Sequence, residues 1–95
     1  MGGNKSIVIE RGKEHVDRWV FEVRVESRIY EVEVEKEYVR KLTKDKASPR
    51  DLVMYSFLFL LEREPASAIL PSFNLNQIPT YFPEYEAAME FLINR

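Results

Sequence analysis

Arg18-Trp19-Val20-Phe21-Glu22-Val23-Arg24-Val25-Glu26, followed after a short break by Tyr30-Glu31-Val32-Glu33-Val34-Glu35, is the stretch on which the fold turns. Its hydrophobic period is two, the period of a strand with one buried face. In the first run Trp19, Phe21, Val23 and Val25 fall on one side, and Arg18, Glu22, Arg24 and Glu26 on the other. In the second, Tyr30, Val32 and Val34 alternate with Glu31, Glu33 and Glu35. Two adjacent runs of this kind predict an antiparallel hairpin with one apolar and one charged face.

Register follows from parity. An even loop sets apolar residues opposite apolar residues, whereas an odd one would set each opposite a glutamate or arginine and turn half of the core into water. Ser27-Arg28 lacks the Asn-Gly chemistry of a tight turn, so a four-residue loop is expected. Val25 then meets Tyr30, Val23 meets Val32 and Phe21 meets Val34, while Arg24 meets Glu31 and Glu22 meets Glu33. Upstream, Ser6–Glu10 reads as a short strand with Ile7 and Ile9 on one face, and Gly12-Lys13 as the turn back. These three strands form a meander over about residues 6–35.

Beyond Lys36 the period becomes helical, and residues 36–95 form the helical part of a single domain spanning 1–95. Lys36–Thr43 reads as a short helix with Tyr38, Val39 and Leu42 inward. Ser48-Pro49-Arg50-Asp51 is a strong start signal: a good N-cap, a proline preformed for the first helical position, and an acid at the positive end of the dipole. The helix it opens should run to about Glu64, because Pro65 cannot continue it. Four of the five prolines fall between Pro65 and Pro83, where single turns are expected around Ala66–Leu70 and after Asn74, with Gln77 completing a cap and Pro79 limiting the second turn. A last helix starts near Pro83 and buries Tyr85, Ala88, Met89 and Leu92. The predicted class is α+β: an antiparallel sheet of about three strands, then three or four helices on its apolar face.

Composition narrows the functional classes. Ninety-five residues, 45% hydrophobic and 32% charged, describe one globular core. The chain has no cysteine, so disulfides and thiolate metal sites are excluded. Met1–Lys5 has no apolar run of the secretory type, and the longest apolar stretch, Leu52–Leu61, is half of the roughly 20 residues a membrane helix needs. A cytoplasmic location is the expectation. The net charge is −2, but residues 1–50 hold 12 basic and 10 acidic side chains and residues 51–95 hold 2 and 6. Positive charges in the first half are interleaved with glutamates, which argues against a nucleic-acid partner.

No catalytic constellation emerges. His15, the single histidine, sits beside a predicted turn with no orienting partner in view, and reads as a solvated loop residue. Glu22, Glu26, Glu31, Glu33 and Glu35 share the charged strand face, but Arg18, Arg24 and Lys36 between them would neutralise a metal site. Three glycines, at 2, 3 and 12, compose neither a phosphate-binding loop nor a dinucleotide fingerprint. The expectation is a non-enzyme without metal or cofactor. The aromatic and proline-rich segment Phe73–Tyr85 could line a groove for a peptide or stack nucleobases; it reads rather as a connector pinned over the core, since no basic residue lies between Glu64 and Glu90 to draw in a phosphate backbone.

The informative feature is the helix 49–64. Leu52, Val53, Met54, Tyr55, Phe57, Leu58, Phe59, Leu60 and Leu61 point in every direction, whereas a surface helix keeps a polar side. Either the rest of the chain wraps it or one side meets a second copy. Burying Met54, Phe57, Leu58 and Leu61 at an interface would gain roughly 1.5–3 kcal/mol each, against an association cost on the order of 4–15 kcal/mol. These four residues are the expected self-association surface, most simply of a homodimer. The alternative is a nucleic-acid-binding accessory protein using Arg18, Arg24, Arg28, Arg40 and Lys41.

Tyr30-Glu31-Val32-Glu33-Val34, Ser48-Pro49-Arg50-Asp51-Leu52-Val53, Ser56-Phe57, Phe59-Leu60-Leu61-Glu62-Arg63-Glu64-Pro65, Ile69-Leu70, Ser72-Phe73-Asn74-Leu75 and Tyr81-Phe82-Pro83-Glu84-Tyr85 together resemble a pattern shared by a family of short, uncharacterised prokaryotic proteins. The resemblance implies a free-standing domain of prokaryotic type and transfers no activity and no site residue.

Overall fold

The alternation between Trp19 and Val34 builds a hairpin of β2 (Arg18–Val25) and β3 (Arg28–Glu35), seen in a computed structural model that describes residues 6–94. Residues 1–5, which carried the argument about a secretory leader, and Arg95 lie outside the described residues. The loop parity is even, as expected, but the loop has two residues, Glu26 and Ser27, rather than four. Val23 therefore pairs with Tyr30, Phe21 with Val32 and Trp19 with Val34, and the expected pairs are each displaced by two positions. Glu26 adopts a left-handed φ of 58° to make this turn, at a cost of roughly 1–2 kcal/mol for a residue with a Cβ. In return the two extra pairs Arg24↔Ile29 and Val25↔Arg28 form, and Trp19 gains an apolar partner in place of Lys36. Packing of the whole face outweighs the chemistry of one turn residue.

β1 is longer than its apolar residues imply. It runs Ile7–Glu14, and the turn follows at His15–Asp17, not at Gly12-Lys13. A bulge between Ile9 and Arg11 inserts Glu10 and resets the alternation. Without it Arg11 would point into the core; with it Arg11 pairs with Glu22 on the outer face and Gly12 with Phe21 on the inner one. Gly12 is there for space. A Cβ at that position would sit 2.5 Å from Cε1 and 2.7 Å from Cδ1 of the Phe21 ring.

α1 (Lys36–Thr43) and α2 (Pro49–Arg63) follow directly. The Ser48 side chain accepts a hydrogen bond from the Asp51 N–H at 3.0 Å, which is the cap the sequence promises. The two helices form the long crossover that a parallel strand requires. The chain then returns as β4 (Ser72–Asn74), which pairs parallel with β3, Val32 opposite Phe73, and is anchored by the Glu31 N–H on the Pro71 carbonyl at 2.8 Å. The sheet is thus mixed and four-stranded, in the order β1-β2-β3-β4, rather than a three-stranded antiparallel one. The α+β class stands.

The segment after α2 turns at Ala66–Ala68 and Leu75–Gln77, both as 3₁₀ helices, and the second carries the Asn74–Gln77 capping box. Pro79 does not end that turn; it occupies the first turn of α3 (Ile78–Tyr81), where its missing N–H costs nothing. α4 (Tyr85–Ile93) buries Tyr85 and Met89 fully and Ala88 and Leu92 in part. Helices lie against the inner sheet face, where Val23, Val25, Val32 and Val34 have no exposure. The Tyr30 hydroxyl donates to the Ala66 carbonyl at 2.6 Å and ties the sheet to the first 3₁₀ turn. Among the described residues no helix is long and apolar enough to cross a membrane.

Candidate interaction site

α2 is apolar all round between Leu52 and Leu61, and the chain buries one arc of it. Leu52, Val53, Ser56, Phe57, Phe59 and Leu60 are buried against the sheet, α4 and the proline-rich segment. Phe59 meets the Tyr85 ring edge-on at 5.3 Å and the Phe82 ring at 5.8 Å, so the aromatics of the segment 73–85 do pin it over the core. Ser56, the polar residue in the buried arc, donates to the Leu52 carbonyl at 2.7 Å and stands 2.6 Å from the Tyr85 hydroxyl. Both polar groups are therefore satisfied in the interior.

Of the four residues expected to form a self-association surface, three share the outward side. Met54, Leu58 and Leu61 recur at i, i+4 and i+7, with Tyr55 beside them; Leu58 is 47% exposed and the others are half-buried. Phe57 is elsewhere. It has no exposure and packs edge-on to Tyr30 at 5.3 Å and 6.0 Å from Phe73, inside the chain's own core. A position one residue away on a helix turns by about 100°, and that rotation takes Phe57 off the surface that Leu58 presents. Asp51 and Glu62, both exposed, accompany the stripe at its two ends.

A second apolar feature lies at the C-terminal end of α2. Leu60, Ile69, Phe73 and Ile78, all buried, form the floor of a cleft of about 320 Å³, with exposed Leu70 and Tyr81 at its rim and Glu64 as its charged lining residue. The sequence offered one signal for it: the apolar residues from Ile69 to Phe82 come without a single cation. Their convergence depends on β4, which is too short for any periodicity to reveal.

The outer sheet face carries the larger depression, about 610 Å³, lined by charges that cancel one another. Arg11 lies 3.6 Å from Glu22, Arg18 lies 3.7 Å from Glu33, and Arg24 bonds Glu10 at 2.6 Å. His15 borders the same depression. No group of three or more His, Asp or Glu residues is placed to hold a metal ion among the described residues. The five basic residues of the nucleic-acid alternative do not gather. Arg18 and Arg24 are on the outer sheet face, about 20 Å apart at 3.3 Å per residue. Arg28 stands at the β2–β3 turn. Arg40 and Lys41 belong to α1 in the helical layer, and Lys41 pairs with Glu86 at 3.6 Å.

The displaced acidities follow from burial and from hydrogen bonding. Burial pushes the Tyr85 and Tyr38 phenols far above their ordinary value, and for Tyr38 the hydrogen bond to Glu86 at 2.7 Å adds to it. Tyr30 is raised by burial as well. Glu84 is lowered by a hydrogen bond from its own backbone N–H and by Arg63, which lies 3.1 Å away and stacks on the Phe59 ring. None of these groups lines the cleft or the stripe.

Comparison with protein-family models, with curated proteins and with solved structures finds no match to this chain.

Proposed function

We propose that this protein is a non-enzymatic interaction module that pairs with a second copy of itself through the outward side of α2. The observation that carries the proposal is the stripe Met54–Leu58–Leu61, where Leu58 keeps 47% of its surface exposed and Met54 and Leu61 stay half-buried after the sheet, α4 and the proline-rich segment have packed on the opposite arc of the helix. An isologous dimer would set the two helices against each other around Leu58, each copy burying the same residues. Stable dimers bury about 1,200–2,000 Å² in total, so the contact would extend from the stripe onto Tyr55 and its neighbours. A cytoplasmic and prokaryotic setting belongs to the same proposal; it rests on the cysteine-free composition and on the resemblance carried by Tyr30–Tyr85. The nucleic-acid alternative finds less support in the arrangement, because three of its five basic residues are already paired with carboxylates.

Sedimentation equilibrium at micromolar concentration tests the proposal. The wild type should show twice its 11.3 kDa chain mass, and Leu58→Glu should be a folded monomer with an unchanged far-ultraviolet spectrum. A wild-type monomer at that concentration overturns the proposal. Should that monomer also bind a labelled duplex in a salt-dependent anisotropy titration, the alternative takes its place.

A further inference from the structure

The cleft at the end of α2 combines three properties that favour one class of ligand. Its floor is apolar and preformed: Leu60, Ile69 and Ile78 are 4%, 6% and 4% exposed, and the Asn74–Gln77 capping box and the Phe59–Phe82 contact hold the surrounding turns in place. Its volume of about 320 Å³ equals roughly ten waters at about 30 Å³ each, the small end of the range for ligand pockets. Its electrostatics have one sign. Glu64 is the sole charged residue of the lining, and among the described residues no cation pairs with its carboxylate. The nearest cation in sequence, Arg63, is engaged by Glu84, Glu62 and the Phe59 carbonyl. Glu64 also caps the C-terminus of the fifteen-residue α2, where the last carbonyls of the helix place further negative potential.

We propose that this cleft binds a small organic ammonium ion, with an aryl or short alkyl tail on the apolar floor and its charged nitrogen against Glu64. Apolar contact supplies most of the affinity, and the carboxylate with the helix end supplies the choice of head group. The site is separate from the outward stripe of α2 and does not depend on self-association. Anionic amphiphiles of the same tail meet an unpaired like charge and bind more weakly.

The test is a methyl-detected NMR titration of the full chain with three probes that share one tail: 4-phenylbutylamine, 4-phenylbutanol and 4-phenylbutyrate. The amine should shift the methyl signals of Leu60, Ile69, Leu70 and Ile78 and bind about tenfold more tightly than the alcohol, the factor expected of one charge-assisted contact. The butyrate should bind more weakly than the alcohol. Glu64→Gln, an exchange at a partly exposed helix end, should bring amine and alcohol to within about twofold while leaving the affinity for the alcohol unchanged. Ala68→Phe, which places a ring in the lining, should abolish binding of all three, with its backbone amide spectrum showing that the fold is kept. Equal affinity for the three probes in the wild type would overturn the assignment of the ligand class. So would shifts centred on other residues, or no shift at millimolar amine.

Discussion

Phe57 and Leu58 are consecutive apolar residues on the same helix, and they end in different media. Phe57 is sealed among Tyr30, Phe73 and the sheet, while Leu58 keeps 47% of its surface in water. Nothing in hydrophobicity separates them. What separates them is the position of the other elements: the sheet, α4 and the segment 65–83 cover the arc centred on Ser56 and stop short of the arc centred on Leu58. An apolar helix therefore states a demand for burial without saying who meets it. The core meets it fully for Leu52, Val53, Phe57, Phe59 and Leu60, in part for Met54, Tyr55 and Leu61, and least for Leu58.

That contrast is open to direct attack. Phe57→Ala should destabilise the chain by about 3–5 kcal/mol through lost burial and a cavity, whereas Leu58→Ala should stay within about 0.5 kcal/mol when measured on the monomer. Paired urea denaturation curves give both values, and similar costs at the two positions would erase the distinction between core and outward arcs. Tyr85→Phe sharpens the picture of the buried arc. It removes the hydroxyl 2.6 Å from Ser56 but leaves Ser56 bonded to the Leu52 carbonyl, so about 1 kcal/mol should be lost.

That loss has a pH signature. Burial raises the folded-state pKa of Tyr85 above the ordinary 10.0, so the folded chain holds a proton that the unfolded chain releases. The wild type keeps its full advantage below pH 10 and forfeits it as the pH climbs beyond. The deficit of Tyr85→Phe should accordingly narrow on the alkaline side, and a deficit that stays constant from pH 8 to 11 would contradict the burial of this phenol.

The smallest effect lies at the surface. Hydrogen bonding to its own backbone N–H and to Arg63 lowers Glu84 below its ordinary 4.5. The folded chain thus prefers the ionised carboxylate, and the stabilisation is present above that pH and disappears as the solution is acidified through the lowered value. The melting temperature of Glu84→Gln should fall slightly below that of the wild type at neutral pH and coincide with it in acid. An equal gap at both extremes would assign the difference to something other than this charge.

How far the sequence could be read depends on which interactions are local. The strands β2 and β3, the parity of their loop, α1 over Lys36–Thr43 and the Ser48 cap of α2 all follow from period and capping, because those signals act over a few residues. The reading failed where a distant group overrode a local one. Gly12 reads as a turn residue, yet it lies in a strand to make room for the Phe21 ring nine positions later. Ser27-Arg28 argues for a loose loop, yet Glu26 accepts a left-handed φ so that Trp19 can face Val34. Ser72–Asn74 carries no strand pattern at all; it becomes one because the edge of β3 is open and the Pro71 carbonyl reaches the Glu31 N–H.

The candidate sites divide in the same way. The apolar excess of α2 is written in its residues, and so is the lack of any cation from Pro65 to Asn94. Which side of α2 stays open, and that Leu60, Ile69, Phe73, Ile78 and Glu64 enclose a cleft, were decided by the tertiary structure. The physical reason is range: propensity, period and capping are fixed by neighbours along the chain, whereas burial is fixed by whichever elements the fold brings across from elsewhere.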